Sequence, residues 1–150
     1  MPDISPLDFF RAKLEAYISP VGVEAMQKQA PGRFLLVDVR IGPVPTRIPG
    51  SVRIPQPEII SRMGELPKDK LLILYCWETW CSLATKAAVP ILEAGYQVKE
   101  LFGGIAAWEA MNMPTKRGKG VKNTFNVKRP TKNQSRGQSP ESRGEGRISD

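Results

Sequence analysis

The chain has 150 residues, with 22 lysines and arginines, 15 aspartates and glutamates, no histidine and a formal net charge of +7. That length suits one domain able to bury a real core. Without histidine no Ser-His-Asp or Cys-His catalytic arrangement can exist, and no zinc site can use imidazole. The two cysteines, Cys76 and Cys81, exclude an intrachain four-thiolate metal site and imply no disulfide framework. The charge is unevenly placed: residues 1–114 hold 12 basic and 12 acidic side chains, whereas residues 115–150 hold 10 basic and 3 acidic.

Residues 1–18 read as a helical extension. Ser5-Pro6 supplies an N-cap and a first-turn proline, opening an amphipathic helix through Tyr17 with Leu7, Phe10, Leu14 and Tyr17 on one face. The acidic start, Met1 to Asp8, lacks an apolar segment and does not read as a signal peptide. No apolar stretch approaches the ~18–20 residues that span a bilayer. The expectation is a soluble, cytoplasmic protein in a reducing compartment, without membrane contact. Ser19-Pro20 repeats the helix-start signal for a second helix to Gln29, and Phe34-Leu35-Leu36-Val37 is a continuous apolar run, ending at Asp38, that fits a buried strand. After a Pro/Gly-rich loop from Gly42 to Gly50, Val52–Ile54 reads as a short strand and Pro57 opens a short helix toward Met63.

Leu71-Leu72-Ile73-Leu74-Tyr75 is a second buried strand, Cys76–Cys81 a loop, and Ser82 starts a helix that ends at Ala94 before Gly95. Pro90 lies inside that helix and is expected to kink it. Gln97–Phe102 reads as a strand, and Gly103-Gly104 leads into a last helix from Ile105 to Met111. Alternating strands and helices predict an α/β fold, a central parallel sheet flanked by helices on both faces, with ligands beyond the carboxyl ends of the strands. The folded part ends near Pro114. Residues 115–150, basic and poor in apolar side chains, read as a disordered tail.

Cys76 follows a buried strand and precedes a helix N-terminus, where backbone amides favour a thiolate and can cradle an anion. A buried structural cysteine is the competing reading of that position.

Five stretches in series make the chain resemble the rhodanese-like family: Leu36-Val37-Asp38-Val39-Arg40, Ile48-Pro49-Gly50-Ser51-Val52, Leu74-Tyr75-Cys76, Ala84 to Tyr96, and Leu101 to Trp108. They cover roughly residues 19–114. The resemblance implies a rhodanese fold and a Cys76 that accepts sulfane sulfur as a persulfide and passes it to a thiophilic acceptor. It also implies supporting roles for Asp38 and Arg40 near the site and a tight turn at Gly103-Gly104, each of which reads equally as fold stabilisation. The partners so implied are a small sulfur donor and a thiol acceptor. No cofactor and no metal are implied.

The loop Cys76-Trp77-Glu78-Thr79-Trp80-Cys81-Ser82 departs from that family's pattern, because Cys81 stands where active members carry a basic residue. Glu78 disfavours the thiolate and repels dianionic thiosulfate by about 1 kcal/mol at partly exposed separations. Lys86, one turn into the following helix, either offsets this weakly or is a solvated lysine. The expected donor is therefore a polysulfide or thiol-derived species rather than thiosulfate. Cys81 reads either as a resolving thiol, attacking a Cys76 persulfide or sulfenate, or as a small apolar filler. A metal shared between two chains through both cysteines of each is a further reading. Trp77 and Trp80 suggest an apolar mouth for organic thiols, polysulfide or a protein partner, or else core packing; Trp108 reads as core.

Cell-cycle dual-specificity phosphatases share the implied fold, but their longer loop ends in an arginine that clamps phosphoryl oxygens. Here positions 81 to 83 are Cys, Ser and Leu, so phosphatase chemistry is not expected. The residues also admit a non-catalytic rhodanese module for protein interaction or redox sensing, and a tail that tethers nucleic acid or another anionic surface. Against the tether, Phe125 alone offers stacking in the tail, whose end is diluted by acidic residues. A solvated extension is the plainer reading.

Overall fold

The computed structural model describes residues 3–118, and the expected disordered tail lies outside the described residues from 119 onward. Five strands form one parallel sheet in the order β1-β6-β5-β2-β4, where β1 is Tyr17–Ile18, β2 Phe34–Asp38, β4 Val52–Arg53, β5 Leu71–Tyr75 and β6 Gln97–Leu101. The remaining strands, β3 (Thr46–Arg47) and β7 (Lys116–Arg117), make a separate antiparallel pair. The helices are α1 (Pro6–Ala16), α2 (Pro20–Gln29), α3 (Ile59–Arg62), α4 (Leu83–Glu93) and α5 (Gly104–Ala110).

The two apolar runs occupy the sheet centre, β2 against β5 from Phe34↔Leu71 to Asp38↔Tyr75. Successive side chains point to opposite faces, so each strand feeds two cores. Val37, Leu72 and Leu74 pack with Ile59 of α3 and Ala84, Ala87 and Ile91 of α4. Leu36, Ile73 and Tyr75 pack with Val23 of α2 and Ile105 and Trp108 of α5. Helices thus cover both faces, as the alternation of elements required.

Local signals set most helix ends. Ser5 Oγ accepts from the Asp8 amide at 3.1 Å, and Ser19 Oγ from Gly22 at 3.0 Å. Helix α4 stays helical through Pro90 and ends in a Schellman arrangement: Gly95, at φ +87°, donates to Leu92 O at 2.9 Å and Tyr96 to Ile91 O at 3.3 Å. Among the described residues, no helix is long and apolar enough to cross a membrane.

Four expectations change. Tyr17 leaves the first helix and pairs with Glu100 as part of β1, its ring edge-on to Phe102 at 5.2 Å, because the open edge of β6 offers a ladder that a further helical turn does not. Helix α1 buries no residue, and Leu7, Phe10 and Leu14 are exposed. The helix expected from Pro57 is divided into 3-10, α and 3-10 turns over residues 56–65. Order continues past Pro114: Trp108 Nε1 donates to Pro114 O at 2.8 Å, Lys116–Arg117 pair with Thr46–Arg47, and Gly118 donates to Pro45 O at 3.0 Å.

Candidate active site

The carboxyl ends of β2 and β5 deliver two groups to one place. β5 delivers Cys76, 3% exposed, and the loop returns to α4 through Cys81, 7% exposed. The two sulfurs are joined in a disulfide with Cα atoms 6.3 Å apart, a single bond within one loop rather than a framework across the chain. The tight return of the loop is held by the Cys81 amide donating to Glu78 O at 3.1 Å. Of the backbone amides from Trp77 to Ser82, that of Cys81 alone has an acceptor among the described residues. The others lie just ahead of the N-terminus of α4, a place where backbone amides can hold an anion.

Helix α5 fixes the start of the loop. Its Ile105 and Ala106 amides donate to the carbonyls of Cys76 and Trp77 at 2.9 and 3.0 Å. This approach needs Gly104, at φ +58°, because a Cβ there would lie 2.6 Å from Cys76 O. Gly103, at φ +79°, completes the tight turn.

β2 delivers Asp38 and, just beyond it, Arg40, both fully buried. Arg40 donates from Nε to Asp38 Oδ1 at 2.9 Å and from Nη2 to Asp38 Oδ2 at 2.8 Å, a two-pronged pair. Nη2 also reaches Thr46 O at 2.7 Å, whereas Nη1 is buried without a hydrogen-bond partner among the described residues. The guanidinium lies over the rings of Tyr75 and Trp77, 5.4 and 4.6 Å from their centroids. Beneath it, Ser51 Oγ donates to Ile48 O at 2.7 Å, which leaves the Tyr75 hydroxyl to donate to Ser51 Oγ at 2.9 Å while accepting from the Ile48 amide at 3.3 Å. Burial, reinforced by the charge of Asp38, pushes the Tyr75 phenol above its ordinary range. The Ile48–Ser51 turn, with Gly50 at φ +79°, is thereby pinned to β5.

A cleft of about 620 Å³ opens over this arrangement, lined by Arg40, Thr46, Trp77, Glu78, Trp80 and Glu109 among others. The two loop tryptophans part company. Trp77 is half-buried and packs against both cores, while Trp80 is 72% exposed at the rim. Thr79 and Ser82 are exposed, and Ser82 caps α4 without a side-chain hydrogen bond. Lys86 is not among the residues lining this cleft; it lines another depression with Gln56, Ile60 and Val89. Trp108 is buried, as expected. Thr46 and Glu109, hydrogen-bonded to each other across the cleft wall, were not singled out from sequence. The spacing of Glu109 from Ile105 along α5 was the one available signal, and Thr46 sits in a loop that offered none.

A model of the rhodanese-like domain matches residues 22–111. A curated sulfurtransferase of Allochromatium vinosum is 34% identical over 83 residues, covering 53% of this chain and 76% of that protein. An HTH-type transcriptional regulator of Mycobacterium tuberculosis is 32% identical over 97 residues, covering 63% of this chain, but the chain spans only 43% of that regulator's length. Among solved structures, a full-length protein of Lactobacillus plantarum superposes with a TM-score of 0.71 at 28% identity, covering 75% of this chain and 96% of that one.

Proposed function

Because this chain belongs to the rhodanese-like domain family, we propose that it is a sulfurtransferase-like protein that carries sulfane sulfur as a persulfide on Cys76. The reading rests on one observation above the others: Cys76 lies at the end of β5, before a loop whose amides, that of Cys81 apart, have no acceptor among the described residues. In the reduced chain the Cys76 thiolate attacks a sulfane sulfur of the donor. A new S–S bond forms, the donor's S–S bond breaks, and a donor shorter by one sulfur leaves. An acceptor thiolate then takes the outer sulfur and restores Cys76.

The donor is a polysulfide or a small organic persulfide, and the acceptor a small thiol. Glu78 and Glu109 line the cleft, Arg40 is already paired with Asp38, and no cation ends the loop, so dianionic thiosulfate is poorly served. Trp80 at the rim suits organic thiols or a docking protein partner, and the chemistry belongs in a reducing, cytoplasmic compartment.

A second reading, an interaction or redox-sensing module without transfer, draws on the Cys76–Cys81 bond. Intact mass separates the two. Chain whose disulfide has been reduced, and which is then exposed to polysulfide, gains one sulfur, about 32 Da, during turnover or in a trapped form; dithiothreitol reverses the gain and Cys76→Ser lacks it. Absence of any adduct, even when Cys81 is replaced, sinks the transfer reading.

A further inference from the structure

We propose that Cys81 turns the loop into a sulfide-releasing device, making the protein a dithiol-dependent reductase of persulfide sulfur. The inference rests on Cys76 taking up that sulfur.

The disulfide puts Cys81 Sγ within bonding reach of Cys76 Sγ, with Cα atoms 6.3 Å apart, inside the ordinary span for such bonds. Nothing has to move far for it to form. The Cys81–Glu78 backbone bond closes the loop, and α5 holds its other end through the carbonyls of Cys76 and Trp77. Both cysteines are buried and neither lines the cleft, so an external thiol has to gain access, whereas Cys81 is already in place. An internal attacker held this way acts at a high effective concentration. Cys81 also stands just ahead of the N-terminus of α4, where the helix dipole favours its thiolate without a neighbouring cation.

The step balances without an added oxidant. The Cys81 thiolate attacks Cys76 Sγ of the persulfide, the bond from Sγ to the outer sulfur breaks, and hydrosulfide leaves with the persulfide proton. The disulfide seen in the structure is the product. The sulfane sulfur has been reduced by two electrons and the cysteine pair oxidised. A small dithiol then reduces the pair and leaves as its own disulfide.

The test uses the full chain, reduced, desalted and mixed anaerobically with sodium tetrasulfide, with Cys76→Ser as the blank. The parent should release one more equivalent of sulfide than the blank and finish about 2 Da below its reduced mass. Cys81→Ser should instead retain about 32 Da and release sulfide at least tenfold more slowly until dithiothreitol is added. Cys81→Ala is run beside it, so that one folded variant reports. A parent that keeps the added sulfur, or a Cys81 variant that releases sulfide as fast as the parent, overturns the proposal. If the Cys81 variants take up no sulfur at all, the persulfide reading itself has failed, an outcome distinct from failure of the release step.

Discussion

Replacing Gly104 with alanine tests whether α5 truly clamps the start of the cysteine loop. The new Cβ would lie 2.6 Å from Cys76 O, 2.9 Å from Trp77 C and 3.0 Å from Cys76 C, all backbone atoms that no rotamer change can move. The left-handed conformation at φ +58° costs an alanine about 1 kcal/mol. Relief of the clash separates α5 from the loop and weakens the Ile105–Cys76 and Ala106–Trp77 hydrogen bonds, each worth about 1 kcal/mol. The sum is about 3 kcal/mol, equivalent to a fall of about 10 °C in Tm for a domain of this size. Thermal and urea unfolding measure it, with Gly64→Ala as control, since a Cβ there meets nothing within 4 Å. The control should stay within about 0.5 kcal/mol of the parent. If Gly104→Ala melts as close to the parent as the control does, the clamp is refuted. Because the displaced atom is the carbonyl of Cys76 itself, the same variant should also load sulfur from polysulfide more slowly at a temperature where it remains folded.

Two further substitutions probe the surroundings of the site. Asp38→Asn leaves the Arg40 guanidinium buried without its counter-charge and should cost about 3 kcal/mol in urea unfolding, since removing one partner of a buried pair strands the other; a loss below about 1 kcal/mol would show that Thr46 O and the two aromatic rings suffice to hold Arg40. Glu100, on β6, has its carboxyl raised above the ordinary 4.5 by burial, partly countered by the hydrogen bond from Thr85. The native state therefore keeps this proton to higher pH than the unfolded chain does. Its contribution to stability is present below the unfolded pKa and is lost as pH rises through the folded one. Glu100→Gln should thus raise Tm at about pH 7 and leave it unchanged near pH 3.5; an equal gain at both pH values contradicts the assignment.

What the sequence disclosed follows the range of the interactions. β2 and β5 were legible because a strand buried on both faces writes itself as an unbroken apolar run, and the ends of α2 and α4 because Ser19-Pro20 and Gly95 act within a turn of themselves. β1 was not legible: two residues carry no period, and Tyr17–Ile18 become a strand only because the edge of β6 is open beside them. The β3–β7 pair joins residues about seventy positions apart, and nothing near either segment announces the other. Within the site, the loop and its position after β5 were readable from residues, whereas the supporting place of Asp38 and Arg40 came through family resemblance alone. That Arg40 is fully buried against Tyr75 and Trp77 runs against the usual exposure of arginine, and local pattern cannot foresee it. The different fates of Trp77 and Trp80 depend on which side of a loop faces α5, a matter of tertiary contact rather than spacing.

The short β3–β7 ladder ties the last described residues to the wall of the cleft. Gly118 donates to Pro45 O, and both Pro45 and Thr46 line the cleft, so a substitution that loosens this ladder would also free one wall of the site.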